Sequence, residues 1–509
     1  MQSPPAAGVR SVELERLRHR RQFALGPRFL DRAGWRRVEL EPALRLTAHP
    51  DLAVTHTARG DRSVTLLGHL LDPDRPDATD EALVARLLDL PRLAEGALAA
   101  LDRLGGRFAL VLRDGPAAVV LHDACGLRSV CWAAGPGGLW CASSSGLVAA
   151  ELGLEHDPEA LAFMASRGES EFSLYWMPGD RTVHREVRCL LPNHLLDLRE
   201  ARARRFWPGP APLPTVTGAA EAVPEVAGVL RGLVAAAARR GIPLAIPMTA
   251  GWDSRLVLAL SRELVGAATC FTLVYPGDRE NARDVAVPAR LLARLGVPHR
   301  LVPYPSAVDP EVKAVFRESA DAVKASYCAD VQAMLEHLPD GLTALTGDVA
   351  EIAKCHWRLP GDPEGREATA ADLGRLSMIG EHPYALGAFD DWLAGAPRGP
   401  VPLLDLFCWE QMAGRWQAQL RAEYDLAQES LAPLDCRALL ARLLAVDPAA
   451  RRGPTFPFFG ALIEHLWPAT LSEPVNPPER PGPRALAGKV LRRLGLYRFV
   501  AALRGRPSA

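Results

Sequence analysis

The sequence predicts a two-part α/β protein: antiparallel β-sheets packed on one another, then a parallel sheet flanked by helices and a helical C-terminal part. Three observations predict it. From about Phe23 to Leu152, short apolar runs of strand length alternate with polar turns. From Ile242 onward, strand-length runs alternate with stretches at helical spacing, the pattern of parallel strands joined by crossover helices. Between them, residues 201–223 are rich in Arg, Pro and Ala, with Pro208, Pro210, Pro212 and Pro214, which suits an interdomain connection. The boundary is drawn so that the parts run 1–205 and 206–509, because 509 residues exceed the usual single-domain range.

In chain order, the first part holds apolar runs at Val64–Leu67, Phe108–Leu112 and Ala118–Leu121, with one helix expected at 79–90. The second opens with an amphipathic helix at 221–239. A short apolar run of strand length opening at Ile242, a helix whose apolar stripe runs from Leu256 to Leu260, and a β-branched and aromatic strand at 268–275 follow. A helix at 281–295 and a strand at 297–302 come next. From Leu373 on, the pattern is helical and aromatic, and Phe407, Trp409 and Trp416 read as core.

Composition excludes several partners. The net charge of -1, from 59 basic and 60 acidic residues, gives no electrostatic case for nucleic acid. No apolar run reaches membrane-spanning length, and the N-terminal stretch with Pro4, Pro5, Glu13 and Glu15 lacks the apolar core of a signal peptide. The nine cysteines form no Cys-x-x-Cys pair, and their odd number argues against a full disulfide set, so a cytoplasmic protein with reduced thiols is expected.

Two turns carry the chemistry. In the first, Thr249, Ala250 and Gly251 join a buried strand to a helix, so the backbone can approach a ligand and the free N–H groups of the first helical turn face an oxyanion. Thr249 and Ser254 add hydroxyls and Arg255 a positive charge. Asp253 would repel phosphate unless a metal lies between them, which points to a phosphate site containing Mg²⁺. In the second, the apolar run Leu342–Leu345 feeds Thr346, Gly347 and Asp348, and Glu351 follows three residues on. Asp348 and Glu351 would then lie at the carboxyl edge of the sheet, able to grip Mg²⁺ together with Asp253.

The run Thr249-Ala250-Gly251-Trp252-Asp253-Ser254 resembles the Ser-Gly-Gly-x-Asp-Ser pyrophosphate loop of the asparagine synthetase superfamily, with Ala250 in place of a glycine. The run 346–352 resembles the Ser-Gly-Asp/Glu-Gly-x-Asp-Glu turn of the same family, with Val349 for a glycine, Glu351 at the metal-ligand position and Ile352 for an acidic residue. In the first part, Gly106-Arg107-Phe108-Ala109, Asp123-Ala124-Cys125-Gly126-Leu127-Arg128 and Ala142-Ser143-Ser144-Ser145 resemble the signature of its N-terminal-nucleophile glutaminase half, and 181–184 and 189–194 the segment that closes it.

The resemblance implies an N-terminal antiparallel sandwich of glutaminase type, followed by a parallel-sheet ATP-pyrophosphatase domain. It implies ATP and Mg²⁺ as cofactors, with ATP and pyrophosphate bound by 249–255 and Gly347, adenine by the main chain of the strand around Leu273, and metal by Asp253 and Glu351. Asp348 takes a catalytic role, and so does Lys489, a late lysine where the family places one to stabilise charge. Asp284 suits either a solvated helix face or the site, while His299 reads as packed or capping. Glutamine hydrolysis would need a cysteine at the mature N-terminus, and none precedes Cys125. The first part is therefore expected to be an inactive scaffold.

The implied reaction is ATP-dependent amide-bond formation through an acyl-adenylate, with release of AMP and pyrophosphate and an amine as acceptor. Its substrates would be a small-molecule or peptide carboxylate and an amine, as in natural-product ligases similar to β-lactam synthetase or lasso peptide cyclase. In the latter case a precursor peptide and its processing protein would be partners. An asparagine synthetase using ammonia or glutamine, and a catalytically degenerate scaffold or binding protein, are the alternatives.

Overall fold

The computed structural model describes residues 11–167, 176–209, 213, 218–275, 282–321, 327–362 and 364–478. The chain opens with helix α1 (Ser11–Leu17), then strands β1 (Phe23–Gly26), β2 (Arg36–Glu41), β3 (Leu44–Ala48), β4 (Val54–Arg59) and β5 (Arg62–Leu71). Helices α2 (Asp80–Leu88) and α3 (Leu93–Leu101) lead to β6 (Gly105–Asp114), β7 (Ala117–His122), β8 (Cys131–Gly135) and β9 (Gly138–Ala142). Helices α4 (Ser145–Leu152) and α5 (Pro158–Ser166) precede β10 (Arg188–Cys189), β11 (His194–Asp197) and β12 (Arg202–Arg205).

These strands form two six-stranded antiparallel sheets, ordered β10-β8-β9-β1-β3-β2 and β12-β11-β7-β6-β5-β4. Alternation along each strand decides the layers. Leu67, Ala109, Val111 and Val120 face Phe23, Leu25 and Leu46 of the other sheet. Their neighbours Val64, Leu66, Leu110 and Leu121 pack on α2 and α3, and α4 covers Ala24, Cys131 and Trp140 on the far side. Helix, sheet, sheet and helix thus stack in four layers. The expected helix at 79–90 is α2, capped by the Thr79 hydroxyl, which accepts the Ala82 N–H.

The rest of the chain supplies α6 (Ala219–Arg239), β13 (Leu244–Pro247), α7 (Trp252–Leu260), β14 (Thr269–Val274), α8 (Arg283–Leu295), β15 (His299–Pro303), α9 (Pro310–Ala320), α10 (Cys328–His337) and β16 (Thr343–Leu345). The last strand among the described residues, β17 (Glu429–Leu431), lies in the stretch expected to be helical from Leu373 on. Three residues give too short a run to read, and only the parallel ladder Thr343↔Glu429 to Leu345↔Leu431 makes them a strand. Within the same stretch, Cys408–Gln417 forms a π-helix. The five strands form a parallel sheet ordered β15-β14-β13-β16-β17, clothed on both faces. Ile246 and Met248 join one core with α6 and α7, while Ala245, Phe271 and Val302 join another with α9 and α10. No helix among the described residues is long and apolar enough to cross a membrane.

The antiparallel and parallel parts meet around a buried ion cluster. Gly106, at φ 117°, lies so close to His69 that an added Cβ would fall 2.1 Å from the His69 carbonyl oxygen, and Arg107 follows it. The Arg107 guanidinium makes a two-pronged pair with Asp425 at 2.6 and 2.8 Å and a third bond to Glu429 at 2.9 Å. Arg128 donates to Glu429 at 2.7 Å, and the Arg21 guanidinium lies 3.7 Å from the same carboxylate. Asp123 holds the turn that aims Arg128, accepting the N–H groups of Phe108, Leu127 and Arg128. Helix α1 precedes this joint and packs on α9, in the other part of the chain.

Removing one partner of a buried ion pair strands the other charge, so Arg107→Met is expected to lower unfolding free energy by about 3–5 kcal/mol in a denaturant titration. Burial raises the Glu429 pKa, but Arg128, Arg107 and Arg21 outweigh it and hold the carboxyl at about 2, below the ordinary 4.5 of a glutamate. A carboxyl depressed by folding contributes stability above its unfolded pKa and loses it as pH falls toward the folded one. The wild-type midpoint should therefore drop between about pH 4.5 and pH 2, and in Glu429→Gln this part of the acid dependence should be absent.

Candidate functional site

Two parallel strands leave the sheet side by side, and the turns that follow them touch. Strand order places β13 where the chain reverses its build direction, with β14 and β15 on one side and β16 and β17 on the other. The crevice between the carboxyl ends of β13 and β16 is thus the topological switch point where open α/β sheets bind ligands. The turn 249–251 leads out of β13 and the turn 346–348 out of β16. Gly347 lies against Asp253 so closely that an added Cβ would sit 2.5 Å from the Asp253 Cβ and 2.9 Å from its carbonyl carbon.

The first turn is held by its own polar groups. The Thr249 N–H donates to Ser254 Oγ at 3.2 Å, the two hydroxyls lie 3.0 Å apart, and the Gly251 N–H donates to Thr249 Oγ1 at 3.2 Å. Ala250 is fully buried, its N–H donates to Asp284 Oδ1 at 2.9 Å, and its φ stays outside the left-handed region, so the methyl that replaces a glycine is accommodated. Asp284 therefore belongs to the turn, while His299 is packed against Thr272 Oγ1 at 2.9 Å. Trp252 starts α7, its ring edge-on to Phe456 at 6.2 Å. Leu273 lies beyond Phe271, the last β14 residue paired with β13, so its main chain on that side is outside the ladder.

Arg255 corrects the sequence reading. It is fully buried and donates to the carbonyl oxygens of Thr470 at 2.6 Å and Glu473 at 2.8 Å, binding residues 470–473 to α7 instead of facing a ligand. The cause lies more than two hundred residues on, in the carbonyls of residues 470–474 that receive the guanidinium.

The second turn keeps a glycine's conformation without the glycine. Val349 has φ 63°, a strained region for a β-branched residue, and is held there by burial and by its N–H, which donates to Gln417 Oε1 at 2.9 Å. Gln417, from the π-helix, also donates to Glu351 Oε2 at 3.0 Å. Asp348 accepts the Thr346 hydroxyl at 2.6 Å and lies 3.1 Å from Arg421 Nε.

Asp253 is ion-paired with Lys354, whose buried ammonium also lies 5.5 and 5.4 Å from the ring centres of Phe456 and Phe459. Burial raises the Asp253 pKa to about 6, with Lys354 opposing and Glu351 and Asp348 adding to the rise. The expected metal set, Asp253 and Glu351 beside Asp348, is thus already occupied: by an ammonium, a carboxamide and a guanidinium respectively. Among the described residues no three His, Cys, Asp or Glu side chains are grouped to hold a metal ion, and the donor set as it stands does not fit Mg²⁺. Lys489 lies outside the described residues.

Lys354 escaped the sequence reading. Its one signal is rarity, for it is one of four lysines among 59 basic residues and stands three positions after Glu351. Beside it opens a cleft of about 640 Å³, lined by Lys354, His356, Arg358, Arg452 and Phe456. A cavity of about 70 Å³ between Cys131, Cys189 and Arg415 contains none of the predicted site residues.

No family model matches the chain, and no curated protein matches it. Among solved structures, it is similar to a glutamine phosphoribosylpyrophosphate amidotransferase from B. subtilis complexed with ADP and GMP, at 11% identity and a TM-score of 0.25 over 73% of this chain and 75% of that one. A second, described as the allosteric regulatory enzyme of purine biosynthesis, aligns at 10% identity and a TM-score of 0.24 over the same shares. Likeness at that level carries no argument about activity.

The contact between the two turns leaves no room at Gly347. Gly347→Ala is expected to displace Asp253 and lower the thermal midpoint by several degrees, an overpacking cost of about 1–3 kcal/mol. At Val349 the usual order inverts: Gly relieves the strained φ and Ala does not, so Val349→Gly should be at least as stable as Val349→Ala in the same measurement.

Proposed function

We propose that this protein forms amide bonds at the expense of ATP, through an acyl-adenylate, at the crevice between β13 and β16. One observation carries the reading: the turns 249–254 and 346–351, singled out separately in the sequence, leave neighbouring parallel strands at the switch point and lie in contact. A substrate carboxylate attacks the α-phosphorus of ATP and pyrophosphate leaves. An amine then attacks the acyl carbon and AMP leaves. The hydroxyls of Thr249 and Ser254 and the first-turn N–H groups of α7 would receive phosphate oxygens, and the main chain near Leu273 the base. Positioning and charge stabilisation would supply most of the acceleration.

The cleft beside Lys354, with His356, Arg358 and Arg452, suits an anionic substrate. Glutamine is not the nitrogen donor in this reading. At the head of β1 stand Arg20, Arg21 and Gln22, with Arg20 donating to the Leu426 carbonyl at 3.1 Å and Arg21 and Gln22 to those of Asp425 and Ser319, so these positions brace the other part of the chain. An amine carried by a substrate fits better, as in a natural-product ligase or macrolactam cyclase. A cyclase would imply a peptide precursor and its processing protein.

The pairing of Asp253 with Lys354 and of Asp348 with Arg421 favours one other reading, a nucleotide-binding protein without turnover. Carboxylate-dependent exchange of labelled pyrophosphate into ATP separates the two. The enzyme reading expects exchange with at least one member of a carboxylate panel, slowed about tenfold or more in Thr249→Val. Nucleotide binding without exchange for any carboxylate would favour the binding protein.

A further inference from the structure

We propose that the Lys354 ammonium takes the place of a divalent cation in this crevice, so that the site binds the pyrophosphate group of its ligand without metal. The inference rests on the nucleotide reading above. Its ground is the set of partners at the three carboxylates. Glu351 is oriented through Oε2 by the Gln417 carboxamide, and Asp348 through Oδ2 by the Thr346 hydroxyl and the Arg421 guanidinium, so both carboxylates are turned toward protein donors. The charge at Asp253 is met by Lys354 instead.

An ammonium carries three N–H donors, and Asp253 takes one. Two remain for phosphate oxygens arriving from the cleft that Lys354 itself lines. The rings of Phe456 and Phe459 face the same charge, so its position is fixed before a ligand arrives. Arg358, another cation in the cleft, is committed to Asp405 at 2.9 Å, whereas Lys354 is the cation paired with the turn itself. An acidic residue that would otherwise repel phosphate is thereby neutralised from within the chain.

The test is calorimetric titration of inorganic pyrophosphate and of ATP into the full chain, once in EDTA and once in Mg²⁺. The wild type should bind in EDTA, with Mg²⁺ changing the dissociation constant less than about threefold. Lys354→Met should weaken binding in EDTA about tenfold to a hundredfold, the scale of a charged hydrogen bond, and Lys354→Arg should keep most of it. Should the Met variant fail to fold, Lys354→Gln takes its place, and the wild-type metal dependence decides without any variant. Binding by the wild type only in Mg²⁺ would overturn the inference and leave the nucleotide reading standing. Absence of binding under both conditions would overturn both.

Discussion

The fold depends on a buried ion cluster between its two halves. Arg107 and Arg128 come from the antiparallel part, Asp425 and Glu429 from the border of the parallel sheet, and Arg21 from the segment ahead of the first strand. Such a cluster adds little net energy compared with apolar packing, yet it is costly to break and its directional bonds fix how the halves sit. Guanidinium groups suit it because each offers several donors in a plane, enough to bridge two carboxylates. The motif residues around Gly106 and Asp123 therefore work here as joinery, aiming two arginines across the joint.

At the other end of the parallel sheet, the constraint is space. The turn after β16 can lie on the turn after β13 only because Gly347 has no side chain, and that contact brings Thr249, Asp253, Thr346 and Asp348 to one crevice. The polar groups there satisfy one another: hydroxyls hold amides, Asp284 holds the Ala250 N–H, and each of the three carboxylates has a protein partner. A site so fully paired is ordered in advance, and a ligand must share those partners instead of filling an empty shell.

Much of this was legible in the residues. The three apolar runs named from the sequence are β5, β6 and β7, neighbours in one antiparallel sheet, and helical periodicity locates α6, α7 and α8, because burial of one face leaves a regular trace. The two turns are legible as small residues and acids at strand ends. Other features are not, because their causes lie far away in the chain. β17 is a strand by virtue of β16, nearly a hundred residues earlier. Arg255 faces inward because the carbonyls of 470–474 wait there, and Lys354 reaches Asp253 from a hundred residues on. The strained Val349 is explained only by the buried Gln417 that holds it.

The central claim is that the crevice between β13 and β16 is a nucleotide site, and a crystal structure with a non-hydrolysable ATP analogue tests it most directly. Phosphate oxygens should lie within hydrogen-bond distance of Thr249, Ser254 and the first-turn N–H groups of α7, with the base against the main chain near Leu273. Phosphates lodged elsewhere, or a crevice left empty at saturating analogue, would contradict it.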